Sequence, residues 1–211
     1  METETQRAPT GATGPEPEKG NRFGFGGEMA LLVLTALVLA LLIKTFLFQA
    51  FYIPTGSMEP TLHGPGDRVL VNKLPYYVHD PRRGDVIVFE NPAVQVDRSL
   101  AGGFVHWLSE GLGRSGIEDE FLIKRVVGLP GETVEARDGS IFIDGEPLEE
   151  PYLRKKTRDF GPETVPEGEL FMMGDNRDQS QDSRFIGTIP IGDVIGKAEV
   201  VIWPPSSWNA L

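Results

Sequence analysis

Apolar and polar residues follow two different patterns along this chain. From Met29 through Leu31-Leu32-Val33-Leu34 to Ile43, and past Lys44 to Phe48, the sequence is apolar on all sides. A bilayer is crossed by a helix of about 20 such residues. A helix apolar all round has no polar face to offer water, so it does not suit the surface of a soluble domain. The run therefore predicts a membrane-spanning helix over residues 28–50. Lys44 stands near one end, where its ammonium reaches the interface. Phe46, Phe48, Phe51 and Tyr52 read as an interfacial aromatic belt. A cleaved signal peptide fits less well: the leading segment is long, and no Ala-x-Ala site follows the run. Residues 1–27 are rich in Thr, Glu, Pro and Gly, with almost nothing apolar before Phe23, which predicts a disordered tail.

Beyond the run the pattern shortens. Residues 68–72, 85–89, 121–127, 140–143, 170–173 and 198–203 are brief β-branched or aromatic segments bounded by Gly, Pro, Asp and Asn. Asp138-Gly139 and Asp144-Gly145 flank the fourth of these and are strong hairpin signals. Many short strands with such turns predict an all-β, antiparallel domain over residues 51–211. Residues 93–120 interrupt it as an insertion, longer than an ordinary loop and apolar around Phe104 to Leu108. There is no internal repeat.

Composition narrows the chemistry. At 211 residues the chain has room for one main domain plus appendages. A net charge of -11 argues against a nucleic-acid binder, which carries a basic face. With no cysteine, disulfides and thiolate catalysis are excluded. His63, His79 and His106 are scattered and lack metal-ligand spacing, so no metal and no cofactor is expected. Arg7, Lys19 and Arg22 precede the span, whereas Arg68 and Lys73 follow it at a distance, which favours a cytoplasmic N-terminus and an extracytoplasmic C-terminal domain.

The segment Pro54-Thr55-Gly56-Ser57-Met58-Glu59-Pro60-Thr61-Leu62 follows the span directly. Its prolines fix φ and remove two donors, and Gly56 permits a sharp turn, so one hydroxyl, Ser57, is held in a defined place. A nucleophilic serine needs a base. No Gly-x-Ser-x-Gly elbow and no Ser-x-x-Lys is present, which leaves a Ser-Lys pair drawn from distant segments. Such a lysine must be neutral, hence desolvated. Lys124, within Phe121-Leu122-Ile123-Lys124-Arg125-Val126-Val127, has the most apolar setting of any lysine outside the span; the alternative is a charge that guards an edge strand. A third segment, residues 174–184, is dense in short polar side chains. As a calcium loop it fails, because counting from Asp178 puts Ser183 and Ile189 where Gly and Glu are needed. It reads either as a solvated turn or as a hydrogen-bonded platform beside a site.

Together these segments resemble a bacterial type I signal peptidase, the membrane-bound Ser-Lys leader peptidase. The likeness runs from about Gln49 to the C-terminus. It rests on the Ser57 segment, on Arg83-Gly84-Asp85-Val86, on Lys124 to Glu132, and on Gly174 to Arg184. The resemblance implies an all-β catalytic domain tethered by one N-terminal transmembrane helix in the cell membrane. It implies that Ser57 is the nucleophile and Lys124 the general base, and that Ser180, not nearby Ser183, orients the lysine. Thr55 then joins the Ser57 amide in the oxyanion hole. Asp182 with Arg184, and Arg125 with Asp175, become supporting ion pairs. Ile53, Met58, Leu62, Leu122 and Ile123 become the apolar substrate lining. The implied partners are signal-peptide-bearing preproteins and membrane lipid, with cleavage after small residues of the Ala-x-Ala type. The chain departs from the pattern in the length of 93–120, and it has one span where some relatives have two. Two other classes share features with it. A self-cleaving repressor also uses Ser-Lys on a β fold, but it is soluble and carries a DNA-binding segment. A non-catalytic membrane-anchored scaffold has no need of an intact Ser57, Lys124 and Ser180.

Overall fold

The computed structural model describes residues 25–94 and 121–211. The expected tail up to residue 24 and the insertion from 95 to 120, with His106, lie outside them. The first element is helix α1, Phe25–Phe46. Its stretch Gly26–Ile43 is long and apolar enough to cross a membrane. Leu31, Leu32, Val33 and Leu34 are exposed, as a helix surrounded by lipid requires.

The helix ends four residues earlier than the predicted span. Leu47 donates to the Ile43 carbonyl at 2.9 Å, and its own carbonyl accepts from Lys73 at 2.9 Å. The chain thus passes from helix to sheet through one residue. Strand β1, Phe48–Tyr52, pairs antiparallel with β2, Arg68–Asn72. Phe51 is thereby removed from the predicted aromatic belt, of which Phe46 and Tyr52 remain exposed. The strand's period of two turns Phe51 inward, 2% exposed, with its ring edge-on to Phe121 at 5.5 Å, while Tyr52 faces out.

Among the described residues ten further strands follow: β3 Val86–Glu90, β4 Phe121–Gly128, β5 Thr133–Arg137, β6 Ser140–Ile143, β7 Glu146–Pro147, β8 Phe160–Thr164, β9 Glu169–Met173, β10 Ile189–Pro190, β11 Val194–Trp203 and β12 Asn209–Ala210. A four-residue helix, α2, spans Ser183–Ile186. Among the described residues the strands form two sheets. The larger runs β1-β2-β11-β3-β4-β9-β10, with β12 also on β11; the smaller runs β7-β6-β5-β8. Every pairing is antiparallel, as predicted. The two Asp-Gly pairs make the tight turns on either side of β6. Asp138 and Asp144 have φ of 53° and 51°, and their glycines 89° and 84°, the positive values that two-residue hairpins demand.

The core explains why the central strands lack simple alternation. In β3, Val86 and Val88 enter one apolar cluster with Phe51, Ile53, Met58, Leu62 and Val69. Ile87 and Phe89 enter another with Val126, Leu170 and Met172. The strand is buried on both faces, so it reads as a continuous apolar run. A third cluster joins Val127, Phe171 and Met173 to Val134, Ile141 and Val165, attaching the small sheet to β4 and β9. Each fully buried aliphatic or aromatic side chain contributes roughly 1.5–3 kcal/mol.

Candidate active site

The Ser57 segment is pinned at both ends. Ile53 donates to the Asp67 carbonyl at 2.8 Å and accepts from the Gly66 amide at 3.1 Å. Met58 and Leu62 are fully buried, and the Leu62 amide donates to the Met58 carbonyl at 2.9 Å. Between these anchors Ser57 is itself only 6% exposed. Its carbonyl accepts from the Asn176 amide at 3.0 Å, and the Gly56 carbonyl accepts from Asn176 Nδ2 at 3.1 Å. The nucleophile turn is therefore fastened to the loop after β9 by two hydrogen bonds from one residue.

Lys124 lies on β4, between β3 and β9 and opposite Ile87. It is not on an edge, so edge protection does not account for it. The residue is 3% exposed, and its Nζ stands 2.9 Å from Ser57 Oγ and 2.7 Å from the Ile123 carbonyl. Burial pulls its pKa down to about 8, against the opposing pull of the Asp182 and Asp175 carboxylates. Thr55 Oγ1 lies 3.3 Å from Ser57 Oγ. His63 and His79 are exposed and face Asp67 and the Asp80 carbonyl instead.

The polar segment 174–184 forms the wall behind the pair. Asp175 receives Arg125 through Nε at 2.9 Å and Nη2 at 2.7 Å, and Thr61 as well. Asp182 accepts the Gly174 amide at 3.0 Å and Arg184 Nε at 2.8 Å. Both expected ion pairs are present, with side chains under 10% exposed. Ser183 Oγ accepts the Met172 amide at 2.8 Å, a bond that belongs to β9. Ser180 differs from expectation: its hydroxyl is buried but makes no hydrogen bond to Lys124 or to any other described residue. It rests against the Cα of Gly174. A Cβ added there would come within 2.3 Å of Ser180 Oγ and 2.5 Å of the Ser57 carbonyl oxygen.

A small apolar cleft, about 30 Å³, opens between β1 and β4 and ends at Thr55 and Lys124. Ile53, Leu122 and Ile123 line it, joined by Phe51, Val88 and Phe121. Met58 and Leu62 do not. Their side chains point into the core, where they anchor the serine segment from below. Among the described residues no group of three or more His, Cys, Asp or Glu side chains is placed to hold a metal ion.

Sequence reasoning missed Asn176, Arg177 and Glu150. Asn176 and Arg177 sit inside a segment already singled out, but Asn176 bonds to Ser57 and Gly56, and Arg177 to Glu150 and Thr157, all remote in sequence. Glu150 had no local signal at all.

The arrangement suits acyl transfer: a buried hydroxyl, a desolvated amine in contact with it, and an apolar cleft leading to both. The family model described as signal peptidase, peptidase S26, matches residues 27–203. The signal peptidase I of Mycobacterium tuberculosis is 38% identical over 87% of this chain and 74% of its own length. That of Leptolyngbya laminosa is 42% identical over 80% and 75%. A crystal structure of a signal peptidase I from Enterococcus faecalis is similar at TM-score 0.43 and 32% identity, over 57% of this chain and 97% of that one.

Proposed function

This chain belongs to the signal peptidase family, peptidase S26, and on that premise we propose how it carries out its hydrolysis. Its activity is that of a signal peptidase I, a membrane-anchored hydrolase that removes signal peptides from preproteins. The reaction runs through Ser57 and Lys124. The observation that carries this reading is the 2.9 Å contact between a buried lysine amine and a buried serine hydroxyl.

With Lys124 neutral, its lone pair takes the proton of Ser57 as Oγ attacks the scissile carbonyl. The oxyanion forms beside the Ser57 amide and the Thr55 hydroxyl, whose donation to it replaces the 3.3 Å contact with Oγ. The C–N bond then breaks, and the lysine ammonium returns the proton to the leaving amine. This frees the mature protein and leaves the signal peptide esterified to Ser57. Lys124, neutral again, deprotonates a water that attacks the ester, and Ser57 recovers its proton. The cleft between β1 and β4 receives the residues before the cut, and its small volume supports a preference for short side chains of the Ala-x-Ala type. Substrate signal helices share the bilayer with α1, which raises their effective concentration at the site.

The test is cleavage of a preprotein by wild type, Ser57→Ala, Lys124→Ala and the double variant. Each single change is expected to lower kcat at least 100-fold, with the double little worse, because both groups serve one proton transfer. A Lys124→Ala enzyme that keeps a tenth of the rate sinks the dyad.

A further inference from the structure

The connection from β7 to β8 crosses the back of the site. It is tied down at both ends: the Leu148 amide donates to the Ile141 carbonyl at 2.8 Å, and the Thr157 amide to the Gly139 carbonyl at 3.1 Å. Between these points Glu150 faces inward, its side chain 6% exposed, and meets Arg177, whose side chain is 1% exposed. The pair is bidentate, with Nη2 on one carboxylate oxygen at 2.5 Å and Nη1 on the other at 3.0 Å. Nη1 also donates to Thr157 Oγ1 at 2.5 Å, and Nε to the Gly174 carbonyl at 3.1 Å. Every nitrogen of the guanidinium is thus engaged and its plane is fixed. A planar fork held this way sets the position of what it grips.

What it grips is Gly174, whose Cα packs between Ser180 and the Ser57 carbonyl. The same carboxylate also accepts the Tyr152 hydroxyl at 2.8 Å. The Tyr152 ring lies 4.0 Å from the Arg125 guanidinium, next in sequence to Lys124. Arg125 in turn holds Asp175 and the Gly84 carbonyl. One carboxylate therefore reaches the strand of the base through Tyr152 and Arg125, and the seat of the nucleophile through Arg177 and Gly174.

We propose that Glu150 is a positioning residue of the proteolytic centre, through which the small sheet holds the loop behind Ser57 and the strand of Lys124 in register. This inference rests on the Ser57–Lys124 reading above. Glu150 does not line the cleft that receives substrate, so its removal is expected to leave ground-state binding alone. It acts on the approach of hydroxyl to amine, where a displacement of about 1 Å costs on the order of 100-fold. Glu150→Gln keeps the shape and one strong acceptor while removing the charge that fixes the fork. Tyr152→Phe keeps the ring over Arg125 and removes only the hydroxyl bond.

The experiment measures kcat and KM for the full-length, membrane-reconstituted protein on a preprotein substrate, well below each variant's melting temperature. The folded fraction is read from near-ultraviolet circular dichroism. A small acylating serine reagent measures Ser57 reactivity without using the substrate cleft. Per folded molecule, Glu150→Ala is expected to lose at least 30-fold in kcat and in acylation rate, Glu150→Gln about 3- to 10-fold, and Tyr152→Phe less, all with KM within twofold. If Glu150→Ala does not fold, Glu150→Gln decides. Loss confined to KM, or a rate per folded molecule equal to wild type, overturns the inference. Failure of the reading beneath it is separate: there, wild type does not cleave, or Ser57→Ala cleaves as well as wild type.

Discussion

Asn176 and Ser57 are joined at the backbone, the amide of one donating to the carbonyl of the other at 3.0 Å. This bond makes the position of the nucleophile depend on a loop more than 100 residues away in sequence. It also brings the Cα of Gly174 against the Ser57 carbonyl, which leaves no space for a side chain at 174.

Gly174→Ala tests that fit. The added methyl must displace either Ser180 or the Ser57 carbonyl, since both lie closer than 2.6 Å to its position. Turnover is expected to fall about 100-fold, with a stability loss of about 1–3 kcal/mol from overpacking. Rates and melting of the purified variant check this; an alanine enzyme of near-wild-type rate means that the loop yields freely.

The two serines of the same loop are expected to separate activity from stability. Ser183 satisfies the buried Met172 amide, so Ser183→Ala leaves that donor unpaired and costs about 1–3 kcal/mol, with turnover per folded molecule retained. Ser180 offers a buried hydroxyl with no hydrogen-bond partner among the described residues, so Ser180→Ala is expected to cost little stability. If Ser180 orients Lys124 during the reaction, as its match to the family's third motif implies, its loss is expected to lower kcat. Chemical denaturation and kcat measured on both variants decide. The reverse ordering assigns the orienting role to Ser183.

Activity is expected to rise with pH as Lys124 loses its proton, with a midpoint near 8. Replacing His63, His79 or His106 in turn leaves that limb in place. Profiles of kcat/KM against pH for wild type and the three variants check it. A limb that vanishes with one histidine identifies that histidine as the base.

The same shift has a consequence for stability. A lysine with its folded pKa pulled from 10.5 to about 8 binds its proton more weakly when folded. Stability falls as pH drops through the unfolded value and levels off below about 8, because the unfolded chain binds the proton first. The full penalty is about 3 kcal/mol. Lys124→Met, inactive, is therefore expected to be more stable than wild type at pH 7 by up to about that amount, and the gap is expected to close between pH 8 and 10.5. Denaturant melts at pH 7, 9 and 11 measure it; a gap independent of pH places its cause elsewhere.

Arg7, Lys19 and Arg22 ahead of α1 are the basis for proposing a cytoplasmic N-terminus. Protease added to spheroplasts is expected to digest the β domain and spare the N-terminal tail. Protection of the domain, with loss of the tail, reverses the assignment.

The sequence by itself determined the elements whose signal is local. A helix apolar on all sides, short β segments, and Asp-Gly turns that demand positive φ are each decided by neighbours in the chain, and all reappear in the structure. Strands β1 and β8 were not legible in this way. Phe48–Tyr52 looks like the end of a membrane helix until Arg68–Asn72 offers a partner for its backbone. Phe160–Thr164 is almost wholly exposed and is a strand only because it pairs with Thr133–Arg137. The site divides along the same line. Ser57 and Lys124 stood out because a constrained turn and an apolar setting are written locally. That Met58 and Leu62 support the turn from the core rather than line the cleft was decided by which side of the chain the sheet lies on. Glu150 and Arg177 give no sign in isolation, because a surface carboxylate and a surface guanidinium have the same letters as a buried pair. Only the fold, by placing them 2.5 Å apart and out of water, makes each depend on the other.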